Sequence, residues 1–132
     1  MKIIDFLQSI IKANLDNNCN LISNIYLSPK RDSDYPYCII SVKDVKNNSN
    51  IKETVFSCLV SIDVYDKNTD NINLISISEE IKNNLDSVLN NQNSNFVVKH
   101  ITFERGDLKL FNELNLVWKI TLEFKALVKM LD

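Results

Sequence analysis

Glycine is almost missing from this chain: Gly106 is the only one among 132 residues. The phosphate-cradling loops of P-loop and dinucleotide-binding proteins need several glycines at fixed spacing, because only a residue without a Cβ lets the backbone approach a phosphate closely. Both are excluded. Histidine is as scarce, with His100 alone, and Cys19, Cys38 and Cys58 show no CxxC spacing. A four-ligand zinc pattern is not spelled, so three buried free thiols in a reducing compartment are expected. No apolar run approaches the ~20 residues that span a bilayer. Asp5, Gln8 and Lys12 interrupt the one N-terminal stretch that would otherwise serve as a secretory core. Neither membrane insertion nor export is expected. An excess of positive charge is absent too: 15 Lys and Arg stand against 17 Asp and Glu. Without a basic field, direct nucleic-acid binding by the monomer is not expected.

What is present is the make-up of one folded domain, expected to run over residues 1–132: 45% apolar and 24% charged residues. The asparagine pairs Asn17-Asn18, Asn47-Asn48, Asn83-Asn84 and Asn90-Asn91 fit a biased coding composition and carry no functional weight. Ile3, Ile4, Phe6, Leu7, Ile10, Ile11 and Leu15 recur at helical spacing, predicting an amphipathic helix over 2–17. A short extended piece at 24–27 stops at Ser28-Pro29, and 30–34 read as a surface loop. From Tyr37 the period changes to two, predicting a strand to Val45 and an exposed loop over 46–50. A long strand follows, with Phe56, Cys58, Val60, Ile62 and Val64 on one face. Residues 66–70 read as a turn and cap. Leu74, Ile77, Ile81, Leu85 and Val88 mark a second helix, ending in the 90–95 loop.

Two strands close the chain, one over 96–104 and one over 114–128, where Leu114, Leu116, Trp118, Ile120, Leu122, Phe124, Ala126 and Val128 alternate. Gly106 is expected in the connection with positive φ, inside a hairpin at Arg105-Gly106-Asp107. Trp118 is expected well buried in the middle of the apolar face. The order α-β-β-β-α-β-β, with polar loops and alternating strands, predicts a two-layer α+β domain: a mainly antiparallel sheet with both helices on one face.

No constellation for catalysis emerges. His100 lies in a strand without a neighbouring nucleophile, Glu79-Glu80 sit on a helix's polar side, and Asp63 and Asp66 fit capping or turn roles. No enzyme activity, cofactor or metal is expected. Two exposed features stand apart. One is the loop Asp44–Lys52, where the polar run Lys46, Asn47, Asn48, Ser49 and Asn50 lies between Val45 and Ile51, with Lys52 at its end. It joins two long strands without an Asn-Gly or Asp-Gly turn, and reads either as a linker or as a segment that orders against a partner. The other is the wetter sheet face with Leu59, Tyr65, Val117 and Leu127, either scattered surface residues or a subunit interface.

The helix followed by Leu21-Ile22-Ser23-Asn24-Ile25-Tyr26, then a polar loop into Tyr35-Pro36-Tyr37-Cys38-Ile39-Ile40, resembles the opening of the tail-terminator (tail-completion) family. These are small proteins of long-tailed bacteriophages and related gene-transfer-agent particles. The resemblance continues through Val60-Ser61-Ile62-Asp63-Val64-Tyr65-Asp66, a helix and two final strands, with Tyr35, Pro36 and Tyr37 as its family-like motif. This chain departs from the family in lacking the glycines usual in the first loop. The resemblance implies a structural role: a ring, commonly of six subunits, that caps the head-proximal end of the tail tube. Its implied partners are further copies of itself, the tail-tube protein and a head or neck connector. Assembly would take place in the bacterial cytoplasm, and the protein would end in the virion or a prophage-derived particle. Another head–tail joining protein, such as a neck or stopper, and a ligand-binding regulatory α+β module remain as alternatives.

Overall fold

A computed structural model describes residues 2–22, 24–28, 34–67 and 72–131. The elements are α1 (Lys2–Asn18), β1 (Asn24–Tyr26), β2 (Tyr37–Asn47), β3 (Val55–Lys67), α2 (Ile72–Leu85), β4 (Phe96–Asn112) and β5 (Val117–Met130). Ile3, Phe6, Leu7, Ile11 and Leu15 form the buried stripe of α1, as their spacing requires. On its opposite side Lys12 and Asp16 pair at 2.7 Å, one turn apart. Leu74, Ile77, Ile81 and Leu85 do the same for α2, and a single 3-10 turn, Asp86–Val88, buries Val88 beyond it. Pro29, the rest of the expected loop at 30–33 and the turn residues 68–70 lie outside the described residues.

The five strands run in the order β1-β2-β3-β5-β4. β1 pairs parallel with β2, and the other neighbours are antiparallel. Since β3 and β4 each run antiparallel to β5, they run parallel to each other, and α2 is the crossover such strands need. β5 then returns into the slot between them. Alternation puts Ile40, Val60, Ile62, Val64, Leu122, Phe124, Ala126 and Val128 on the face beneath both helices, all buried in one core. Gln8 on α1 donates to the carbonyls of Leu27 and Ile40 at 3.2 and 2.9 Å, tying the helix to the open side of β2. Asp66, buried at the end of β3, accepts from the Lys67 N–H and Asn73 Nδ2, each at 2.9 Å, and so holds the start of α2. This is the expected α+β architecture with both helices on one face.

The final hairpin corrects the sequence expectation. Gly106 is not in a turn: it lies within β4, opposite Leu122, and has no positive φ. The turn is Glu113–Leu116, shaped by Asn112 Oδ1, which accepts from the Leu114 and Asn115 N–H groups at 3.0 and 3.3 Å. Leu116, not a glycine, takes the left-handed φ of 52°. Leu114 and Leu116 are therefore exposed turn residues rather than core. Trp118 falls next to this turn, half-buried at the end of the core instead of in its middle, and its Nε1 is buried without a hydrogen-bond partner. Gly106 owes its place to packing: an added Cβ would lie 3.3 Å from Leu122 Cδ2 and 3.6 Å from Phe103 Cζ. The Phe103 ring covers the gap that a side chain would otherwise fill.

Candidate assembly surface

The β2–β3 connection is a hairpin held mainly by its own side chains and backbone, with the Thr54 carbonyl accepting from the Met130 N–H of β5. Lys46 and Asn47, expected in the loop, belong to β2, and the register slips between Lys43 and Lys46 where Asp44 adopts φ 53°. Such a bulge bends and twists the strand end. Beyond it the Asn48 N–H donates to Val55 O at 2.8 Å and the Asn50 N–H to Glu53 O at 3.0 Å. Asn47 Oδ1 accepts from the Ser49 N–H, Asn50 Oδ1 from the Lys52 and Glu53 N–H groups, and Ser49 Oγ from the Val55 N–H. Asparagine and serine are suited to this, since their short side chains mimic a backbone turn. Val45 packs against the protein's own core, whereas Ile51 is wholly exposed at 105%. Of the two apolar residues flanking the polar run, only Ile51 is available to a partner.

The sheet face away from the helices is not uniformly wet. At the end near the β4–β5 turn, Tyr37 stacks on Tyr65 with ring centres 4.9 Å apart, and Tyr65 meets Phe111 edge-on at 5.0 Å. Tyr37, Tyr65 and Val117 are buried there, with Tyr26 and Ile39 against them. Tyr65 and Val117, expected on a wetter face, thus form a second small core. Of Tyr35, Pro36 and Tyr37, only Tyr37 belongs to it; the Tyr35–Pro36 peptide bond is cis, and the exposed Tyr35 ring lies 5.5 Å from that of Tyr37. Burial, then Asp63 and Tyr37, push the Tyr65 hydroxyl up to about 12. Next along the face is a polar belt around an open depression of about 550 Å³. In it Thr121 Oγ1 donates to Asp63 Oδ1 at 2.6 Å, and Arg105 pairs with Glu123.

The groups with chemical potential are dispersed. His100 is exposed on β4 opposite Leu127. Burial pushes the thiols of Cys19, Cys38 and Cys58 up to about 11, 12 and 11, which keeps them protonated and unreactive at neutral pH. Among the described residues no three His, Cys, Asp or Glu side chains converge as metal ligands.

A third exposed feature was not anticipated from the sequence. The helices lie over β1, β2, β3 and β5, and β4 beyond Ile101 is mostly exposed. Its helix-side residues Phe103, Gly106, Leu108 and Leu110 pair with Phe124, Leu122, Ile120 and Trp118. Along α2, Ile75 is 51% exposed, and Lys82 reaches from the same helical stripe to lie 4.8 Å over the Phe103 ring. Ile75 was the visible clue: it is apolar but off the buried stripe of α2.

A two-layer α+β fold with an open sheet face and two projecting hairpins is therefore the class that these elements define. No family model matches the chain, and no curated protein sequence matches it. Solved structures do. One similar chain comes from the virion of a native gene transfer agent particle, with a TM-score of 0.75 and 14% identity over 93% of this chain and 94% of that one. Another is the gp17 protein of bacteriophage SPP1, with a TM-score of 0.56 and 16% identity over 96% of this chain and 88% of that one. At such identities the fold is what is shared, and it is shared over nearly the full length of all three chains.

Proposed function

We propose that this protein is a structural component of a phage tail or phage-derived particle, acting as a tail terminator. A ring of subunits caps the head-proximal end of the tail tube, stops its polymerisation and offers the joining surface for the head or neck. The observation that carries this reading is the match in fold, end to end, to a chain from a gene transfer agent virion. It agrees with the resemblance borne by Tyr35-Pro36-Tyr37 and the long strand β3. Such a role asks for exposed docking elements on a firm core, and needs no nucleophile, metal or cofactor. The hairpin around Val45–Lys52 is the candidate contact with a neighbouring subunit or the tube, and assembly takes place in the bacterial cytoplasm.

The test is negative-stain microscopy of the purified protein with and without tail tubes from the same particle. Terminated tubes of uniform length with added density at one end are the expected outcome. Deleting Asn47–Asn50 should then give tubes of uncontrolled length. A protein that never associates with tubes, yet binds the isolated head connector, would instead be a neck or stopper component.

A further inference from the structure

We infer that Ile51 is a knob that inserts into the groove between α2 and β4 of a second copy of this chain. The inference rests on the ring-forming reading and names the residues of its subunit contact. Ile75, Glu79 and Lys82 follow one stripe of α2, Lys82 reaches over the Phe103 ring, and Leu108 and Leu110 continue the helix-side face of β4 beyond Phe103. That face is continuous with the main core, against which Leu108 and Trp118 pack. An occupant would extend an existing apolar layer instead of starting a new one.

Several observations select a second copy as the occupant. The chain carries both halves of the contact, a bare aliphatic tip and an apolar recess. They cannot meet within one molecule. Asn47 and Phe56 pair at one end of β3, and Lys67 and Val117 at the other. The patch on β4 runs from Phe103, level with Val60, to Leu110, level with Asp66, so its near end lies two strands away and roughly 17 Å or more along β3 from the hairpin end at Val55. A contact between two different patches is heterologous, and such contacts close into rings when the rotation permits. The hairpin is already fixed by its own hydrogen bonds, so docking Ile51 forfeits little conformational freedom. The charges also suit one another. Lys52 beside the knob has no ion pair among the described residues, while the α2 stripe sets Glu79 and then Asp86 against the single Lys82.

Two variants separate the halves. Ile51→Asp removes the knob and leaves the groove; Ile75→Asp damages the groove and leaves the knob. Both sites are on the surface, and an acid in the first turns of α2 suits the helix N-terminus. Sedimentation velocity of the wild-type protein should show concentration-dependent association beyond a dimer. Each variant alone should associate at least about tenfold more weakly, as expected for loss of one buried aliphatic side chain. Their equimolar mixture should stop at a one-to-one dimer, since one intact knob meets one intact groove. Trp118, the only tryptophan, lies beside the groove, so its emission should shift to the blue in the mixture and in neither variant alone. Wild-type protein that stays monomeric at its highest soluble concentration overturns the inference, as does either variant associating like wild type. So does a mixture that stays monomeric. If Ile51→Asp caps tail tubes as well as wild type does, the contact fails and the terminator reading stands. If wild type pairs through Ile51 but never caps tubes, the reverse holds.

Discussion

Replacing Asn50 by alanine tests whether the β2–β3 hairpin owes its order to side-chain hydrogen bonds. Asn50 Oδ1 is the shared acceptor for the Lys52 N–H at 2.8 Å and the Glu53 N–H at 2.9 Å. Both bonds are exposed, so water takes over when the carbonyl is lost. Each then counts at the low end of the usual net value, roughly 0.5 kcal/mol, for a loss of about 1 kcal/mol. A chain of 132 residues has an unfolding entropy of about 0.28 kcal/mol/K, which turns that loss into a Tm drop of about 4 °C. Asn50→Asp keeps the acceptor and should recover most of the drop. Thermal melts followed by circular dichroism give the global figure, and amide exchange by NMR gives the local one: the Lys52 and Glu53 protons should exchange faster in Asn50→Ala only. The alanine variant should also self-associate more weakly, because Ile51 would no longer be held in place. An unchanged melt together with unchanged exchange at both amides would refute the idea that these hydrogen bonds shape the hairpin.

Trp118→Phe should leave stability unchanged or raise it by up to about 1 kcal/mol in urea denaturation, since the indole N–H is buried without an acceptor. A loss above about 2 kcal/mol would mean that the N–H is satisfied in solution. Alkaline conditions should unfold the protein. Cys19, Cys38 and Cys58 rise from 9.0 to about 11, 12 and 11, and Tyr65 from 10.0 to about 12, because burial disfavours their anions. Above pH 9 the unfolded chain therefore releases protons that the folded chain still holds. The resulting stability is whole below pH 9 and lost as pH climbs towards 12. Urea midpoints should fall steadily over that window and less steeply in Cys38→Ala; a flat profile would contradict the burial of these groups.

Much of the local structure was legible because periodicity is a local property. The apolar stripes at Ile3–Leu15 and Leu74–Val88 can bury one face only as helices, and the alternation from Phe56 to Val64 does so only as a strand. From these the two-layer arrangement follows, since two helices suffice to cover one side of the sheet. The last hairpin was not legible in the same way. Leu108 and Leu110 keep step with Gly106, but Phe103 reaches the same face only through a bulge at Glu104, and a lone glycine marks a turn by default. What overrides that default is a contact distant in sequence, the Phe103 ring and Leu122 filling the space beside Gly106. The true turn at Glu113–Leu116 is made by an asparagine side chain and a leucine at positive φ, which composition does not announce. The candidate surfaces divide the same way. The sequence by itself marked the polar run before Ile51 and the Tyr35-Pro36-Tyr37 motif. Only the tertiary structure put β4 at the sheet's edge, where Lys82 reaches from α2 over Phe103, while Leu108 and Leu110 stay half-buried. Strand order depends on which segments meet across the sheet, and a one-dimensional pattern of apolar residues records which face each strand buries but not its neighbour.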